Sequence, residues 1–267
     1  MDAGLRHSWI VVSQLNTVVA ASLSASKPLA VLLYGAPGSG KGTLGRLLSQ
    51  VTAWPHISTG ELLRKHIAAG TPAGQASRGI LKGGYAPDSV VNQVVMERMG
   101  EPDCRKGVIL DGYPRTLNQA VQFLPVLLGY ELEPVLVCLK LDYTEVKVRL
   151  QARRFCSSCG AIFNLVRLPP RDPGVCDECG GDLVCREDDQ TELMDRRIDS
   201  YSNLTEPVAV FLRARSVKTL EFNGMETPMG LTAALLAHLK GLSLIHFTHP
   251  PPNDYSQKSC RTREDAP

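Results

Sequence analysis

A short, wholly apolar run, Leu29-Ala30-Val31-Leu32-Leu33-Tyr34, leads straight into Gly35-Ala36-Pro37-Gly38-Ser39-Gly40-Lys41-Gly42-Thr43. A run of that length and composition reads as a buried parallel strand. Beyond the glycines, Leu44, Leu47, Leu48 and Val51 fall at helical spacing. Strand, glycine-rich loop and helix in this order set a row of backbone N–H groups at a helix N-terminus, a ready site for phosphate. Lys41 would reach the outer phosphates of a bound nucleotide. The usual pattern has Ser or Thr directly after the lysine, but here Gly42 stands there and Thr43 comes next. The hydroxyl–magnesium contact of such loops is therefore not assigned from the pattern alone. A dinucleotide site is a poor reading, because it gives Lys41 no role.

Two further apolar runs, Gly107-Val108-Ile109-Leu110 and Val135-Leu136-Val137-Cys138-Leu139, alternate with helical stretches. This rhythm predicts an α/β protein with a parallel sheet flanked by helices, and the glycine-rich loop ending in Lys41 makes it one of P-loop NTPase type. Helices are expected over 188–218 and 228–240. Two segments break the rhythm. Residues 58–87 are mostly polar and rich in glycine, which suggests a small helical insertion, and residues 155–189 hold four clustered cysteines among prolines. The expected division is an N-terminal extension at 1–28, a core made of 29–57, 88–154 and 190–249, the two insertions at 58–87 and 155–189, and a tail at 250–267.

Asp111 ends the second strand and opens Asp-Gly-Tyr-Pro-Arg-Thr. A carboxylate at the carboxyl end of a parallel strand lies at the mouth of the sheet, where it can order magnesium-bound water beside loop phosphates. The alternative is a turn former before Gly112. Arg115 lies near the same mouth and is either a phosphate clamp or a surface arginine. Arg149, Arg153 and Arg154 precede the cysteine insertion, and Arg186, Arg196 and Arg197 follow it. A lid flanked by arginines would bring positive charge over phosphates, as phosphoryl transfer requires. The competing reading is a set of salt bridges to Glu187, Asp188 and Asp189.

Cys156-x2-Cys159 and Cys176-x2-Cys179 are separated by sixteen residues, with Gly160 and Gly180 after each pair. Four thiolates at this spacing suit tetrahedral zinc, iron being the weaker alternative. Four protein ligands leave no open position, so the zinc is expected to be structural and to stabilise an insertion too small to bury much core. Clustered rather than laddered cysteines also suit a reducing compartment. A net charge of +2 offers no broad basic field, and the insertion has only Phe155 and Phe163 as aromatics, so nucleic-acid binding is not expected. The chain has no run of eighteen apolar residues, and the stretch Ser8–Ser26 makes a poor signal peptide.

These motifs, in this order, resemble adenylate kinase, of the nucleoside monophosphate kinase family, in its long-lid form. The resemblance runs from about Ala30 to Leu239. It is carried by the Gly35–Thr43 loop, His56-Ile57-Ser58-Thr59-Gly60, Asp111–Thr116, Arg153-Arg154, the four cysteines, and Arg186-Glu187-Asp188-Asp189. It implies a mobile monophosphate-binding part at 58–87 and a zinc lid at 155–189. The resemblance gives Gly38, Ser39, Gly40, Lys41, Gly42 and Thr43 to ATP and gives Thr59, Arg64, Arg115 and Gln119 to AMP. Arg149 would pack on the donor base. Lys41, Arg153, Arg186 and Arg197 would surround the transferred phosphoryl, and Asp111, supported by Glu61, would order the waters of Mg2+. The implied reaction is reversible transfer from MgATP to AMP, giving two ADP, by a monomer in the cytoplasm, with a mitochondrial location left open. Thr59 fits the AMP-preferring pattern. A GTP-dependent AMP kinase and a UMP or CMP kinase remain the alternatives. Glu61, Leu44 and Gly84 depart from the residues usual at their places, which bears on fine nucleotide preference.

Overall fold

The computed structural model describes residues 27–186, 189 and 191–241. The expected tail, nearly all of the expected N-terminal extension, and Glu187 and Asp188 lie outside the described residues.

β1 (Leu29–Gly35) is the centre of a five-stranded, wholly parallel sheet. The other strands are β2 (His56–Ser58), β3 (Val108–Asp111), β4 (Glu133–Lys140) and β8 (Lys218–Asn223), and their order in space is β2-β3-β1-β4-β8. Alternate residues of a strand face opposite sides, and β1 shows it. Ala30, Leu32 and Tyr34 pack under α4 (Asp88–Met99), α5 (Leu117–Gly129) and α8 (Glu206–Ala214). Leu29, Val31 and Leu33 pack under α1 (Lys41–Thr52) and α9 (Pro228–Gly241). Both faces are covered, which is why the strand sequence is apolar throughout rather than alternating. Because β1 pairs with β3 on one side and β4 on the other, the crevice outside its carboxyl end is where such sheets bind ligands.

Two strands escape the sequence pattern. β2 is three residues long, too short to show a period. β8 shares only its first residue, Lys218, with the stretch expected to be helical. There the helical path is α7 (Thr191–Ser200), one π turn (Tyr201–Thr205) and α8, which ends at Ala214. Pro207 cannot donate to a helical ladder, and the π turn lies directly before the helix that carries it.

Two smaller units stand over the sheet. α2 (Thr59–Ala68) and α3 (Pro72–Ala76) fold against each other ahead of a 3-10 turn at Arg78–Lys82. After α6 (Tyr143–Gln151), β5 (Arg153–Cys156) pairs antiparallel with β6 (Ile162–Asn164) and β7 (Leu183–Val184). This second sheet starts at Arg153, two residues before the expected insertion boundary. Its apolar cluster is small: Cys156, Ala161, Phe163 and Cys176, with Leu183 against them. No helix among the described residues is long and apolar enough to cross a membrane.

The α2–α3 contact is set by Gly74. A Cβ there would sit 2.1 Å from the carbonyl oxygen of His66, an atom of rigid backbone. Gly74→Ala is expected to destabilise by about 1–3 kcal/mol and to lose amide exchange protection first in α2 and α3. Unchanged protection there would show that the two helices separate without cost.

Candidate active site

The loop after β1 takes a shape that only glycine allows at two positions. At Gly35 (φ +148°) a Cβ would lie 2.6 Å from Ser39 Oγ and 2.7 Å from the Leu139 carbonyl oxygen, and Gly40 (φ +102°) is the left-handed cap of α1. Lys41 folds back into this loop, donating to the carbonyls of Gly35 (2.7 Å) and Ala36 (2.9 Å). Burial draws its ammonium down to about 8, against the opposing pull of Asp111.

Asp111 ends β3 beside the start of α1, close enough that a Cβ on Gly42 would touch its Oδ2 at 3.3 Å. Nε2 of His56, from β2, lies 3.7 Å from that oxygen. Burial pushes the Asp111 carboxyl up, but the His56 contact and the charges of Lys41 and Arg115 prevail and hold it below the usual carboxylate range. An ionised, partly buried carboxylate beside the loop, together with the Thr43 hydroxyl, offers the hard oxygen donors that magnesium takes alongside phosphate and water.

Arg115 donates from Nε to the Gly112 carbonyl (2.6 Å) and lies over the Tyr85 ring, 5.5 Å from its centre. Its backbone N–H donates to Gln119 Oε1 (2.7 Å), while Gln119 Nε2 donates to Asp88 (2.7 Å). The Thr59 hydroxyl donates to the Gly112 carbonyl (2.8 Å). Arg153 and Arg197 both bind Asp189, whose side chain is fully buried. Arg186 lies over Phe155 at 5.4 Å. Arg149 donates to Glu145 at 2.9 Å.

One cavity of about 360 Å³ gathers most of the residues singled out from the sequence. Its walls include the loop residues Gly38, Ser39, Gly40, Lys41, Gly42 and Thr43, together with Asp111, Glu61 and Arg64. Arg115, Arg149, Arg153, Arg186 and Arg197 line it too, with Arg167 and Glu226 among the other charged residues of its walls. Thr59 and Gln119 are not among the lining residues. They hold the Gly112–Arg115 turn from behind. Sequence reasoning missed Tyr85 and Asp88, gave no role to His56 although it stands in a quoted motif, and weighed Asp189 only as a salt-bridge partner at the surface.

The four cysteines of the lid form a separate cluster. Their sulfurs all lie within 4.8 Å of one another, with Cys156–Cys179 at 3.4 Å and Cys159–Cys176 at 3.6 Å. A tetrahedron of sulfurs about 2.3 Å from a metal has edges of ~3.8 Å, so the cluster can hold a metal ion. The Cys159 amide is the largest influence on the Cys156 thiol and, with that of Ser158 and against burial, brings it down to about 6. At Cys156 that favours the thiolate a metal needs. At Cys159 the Ala161 amide pulls the thiol down, but burial and the neighbouring sulfurs together hold it up, and at Cys176 burial does so.

The sheet order, the phosphate-binding loop and the arginine-lined cavity define a P-loop phosphotransferase. Comparison with known proteins narrows this. The family model for adenylate kinase matches residues 33–217. An adenylate kinase of Pseudothermotoga lettingae is 43% identical over 190 residues, 70% of this chain and 87% of its own length. One of Thermosipho melanesiensis is 43% identical over 186 residues, covering 68% and 86%. One of Methanocella arvoryzae is 36% identical over 215 residues, covering 79% and 99%. The chain belongs to the adenylate kinase family and is an enzyme of that class.

Two outcomes follow from the site as built. Lys41 has a folded pKa near 8 against an ordinary 10.5, so between these values the unfolded chain binds more protons and stability rises with pH. The unfolding free energy of the wild type minus that of Lys41→Met is expected to be flat below pH 7 and to climb from pH 8 towards 10.5. A flat difference throughout would show that Lys41 keeps its ordinary pKa. Elemental analysis of protein prepared without chelator is expected to find close to one zinc per chain, with Cys156→Ser much reduced. Full metal content in that variant would remove the cysteine cluster as the site.

Proposed function

We infer that the chain catalyses reversible phosphoryl transfer from MgATP to AMP, giving two ADP. The single observation that supports this most strongly is the convergence of Lys41 with Arg115, Arg153, Arg186 and Arg197 on one cavity at the phosphate-binding loop. In-line transfer spreads negative charge over the oxygens of the moving phosphoryl group, and fixed cations stabilise it.

In this reading the amides of Gly38 to Thr43 cradle the donor polyphosphate, and Lys41 bridges its outer groups. Lys41 sits among loop carbonyls, so its ammonium is already oriented before the donor arrives. Arg64 and Arg115 hold the acceptor phosphate. Thr59 and Gln119 fix the turn that aims Arg115, through Gly112 and the Arg115 amide respectively. Arg153, Arg186 and Arg197 approach from the lid and its flanks. Asp111, supported by Glu61, would hold the waters of a bound Mg2+. Bound magnesium would neutralise charge on the donor phosphates. The acceptor oxygen attacks phosphorus directly, so the chain supplies position and charge rather than a covalent intermediate. Zinc is the metal assigned to Cys156, Cys159, Cys176 and Cys179, as a structural element of the lid.

A coupled phosphotransfer assay over several donors and acceptors tests the reading. AMP is expected to be phosphorylated faster than UMP or CMP at equal concentration. Lys41→Met is expected to lose about a hundredfold or more in kcat, ~3 kcal/mol, with a much smaller loss of ATP affinity. Equal losses of affinity and kcat/KM at constant kcat would make Lys41 a binding group only. Arg115→Ala is expected to lose about 2–5 kcal/mol of transition-state stabilisation, and wild-type kcat/KM in that variant would remove its clamp role.

A further inference from the structure

α5 is a surface helix without a single charged residue. Its inner face, with Ala120, Phe123 and Leu127, is fully buried against the sheet. Its outer face is apolar as well. Leu117, Val121, Pro125 and Leu128 are exposed, and Leu124 is half-buried. They recur at helical spacing, so they form one continuous stripe along the helix. The polar side chains that could interrupt it are drawn aside towards α4. Asn118 donates to Asp88 (3.1 Å), and Gln122 donates to Asn118 (3.1 Å) while accepting from Asn92 (2.6 Å). A helix that is apolar on every side is one that is covered on every side, yet Leu128 is 75% exposed among the described residues.

The size of the stripe limits what fits it. A helix of this length runs about 20 Å and is about 10 Å wide, which gives an area of roughly 200 Å². A stable pair of subunits buries about 800 Å² a side, whereas a strip of this size suits one helix. The described chain begins beside one end of it. The Pro28 carbonyl accepts from the Glu133 amide (2.9 Å), and the preceding Leu132 donates back to the Leu127 carbonyl (2.9 Å) at the end of α5. Residues 1–26 therefore join the fold next to Leu128. In that segment Leu5, Trp9, Val12, Leu15, Val19 and Leu23 recur every three or four residues, with Ser13, Gln14, Thr17 and Ser24 among them. Such spacing marks one apolar helix face, and a helix from Leu5 to Leu23 would be about 28 Å long, enough to run the length of α5. Apart from His7, its only charged side chains are Asp2 and Arg6. That suits an uncharged stripe and offers little attraction to an anionic surface. Residues 242–267 are worse placed, because α9, which leads into them, packs on the opposite face of the sheet. We propose that the α5 stripe is a docking site for this chain's own N-terminal segment, residues 1–26, which lies along it as an amphipathic helix. Seated there, it braces the helix from which Gln119 holds the Arg115 amide.

Trp9 and Trp54 are the only tryptophans, so Trp54→Phe leaves Trp9 as a local probe. In that background Trp9 is expected to emit as a shielded indole and to resist quenching by acrylamide. Adding Val121→Glu and Leu128→Glu is expected to expose it and to raise quenching severalfold. In the otherwise unaltered chain, removal of residues 1–26 and the same pair of glutamates are each expected to lower Tm by about 3–6 °C and to quicken amide exchange in α5. The two changes together are expected to cost no more than either alone. Trp9 exposed without the glutamates, or equally shielded with them, would overturn the proposal, as would fully additive losses of Tm. Light scattering and added vesicles separate the other occupants. A doubled mass, with shielding that rises with protein concentration, would assign the stripe to a second copy of the chain. Shielding that arises only with phosphatidylcholine–phosphatidylserine vesicles would assign the segment to a membrane surface. Either result would overturn the proposal.

Discussion

Like charges repel, and this cavity sets Lys41, Arg115, Arg149, Arg153, Arg186 and Arg197 around one small volume. In a partly desolvated site the repulsion is far stronger than in water. The fold answers it with carboxylates placed behind the cations. Asp111 faces Lys41, Asp189 joins Arg153 to Arg197, and Glu145 joins Arg149 to the lid. Among the described residues the cations of the walls outnumber the carboxylates in and behind them, so the cavity keeps a positive excess. That excess is what selects a polyanion, and the acids decide where each cation points. The helices, the loop and the lid are arranged so that this balance can be held in one place.

Asp189 shows how much rests on a single acid. Its side chain is fully buried between guanidiniums from β5 and α7. A buried carboxylate is tolerable only when paired and hydrogen-bonded, and two arginines satisfy it. In turn it fixes the two strands of chain by which the lid leaves and rejoins the core. The lid has little apolar core of its own, with Phe163 as the buried aromatic among its described residues. Its shape therefore depends on the thiolate cluster at one end and this charged joint at the other.

Much of this was legible in the residues. The loop from Gly35 to Thr43 was readable because its chemistry and its conformation are both local. The cysteine pairs were readable because metal geometry imposes a spacing, and Asp111 because a strand end has a fixed place in a parallel sheet. What escaped depends on distance along the chain. Arg153 and Asp189 are 36 residues apart, and nothing local says that they meet. His56 reaches Asp111 only because β2 pairs with β3 in parallel, Ser58 opposite Asp111. β2 was too short to be seen, and β8 mixes polar residues with only two large apolar ones, Leu220 and Phe222. Thr59 and Gln119 were found as candidates, but the direction of a side chain is a property of the turn it leans on, and Gly112 and Asp88 claim their polar atoms.

β8 also settles how the sheet ends. As an outer strand it leaves one row of peptide groups unpaired among the described residues. Leu220 and Phe222 turn inward to the core, while Lys218 and Glu221 are exposed. Glu221 is further drawn into ion pairs with Lys140 and Arg213. A strand from another molecule docking there would have to approach fixed charges on a short ribbon, and such edges resist growth by strand addition. The polar face that hid β8 from a hydrophobic pattern thus guards the sheet against continuing into its neighbours.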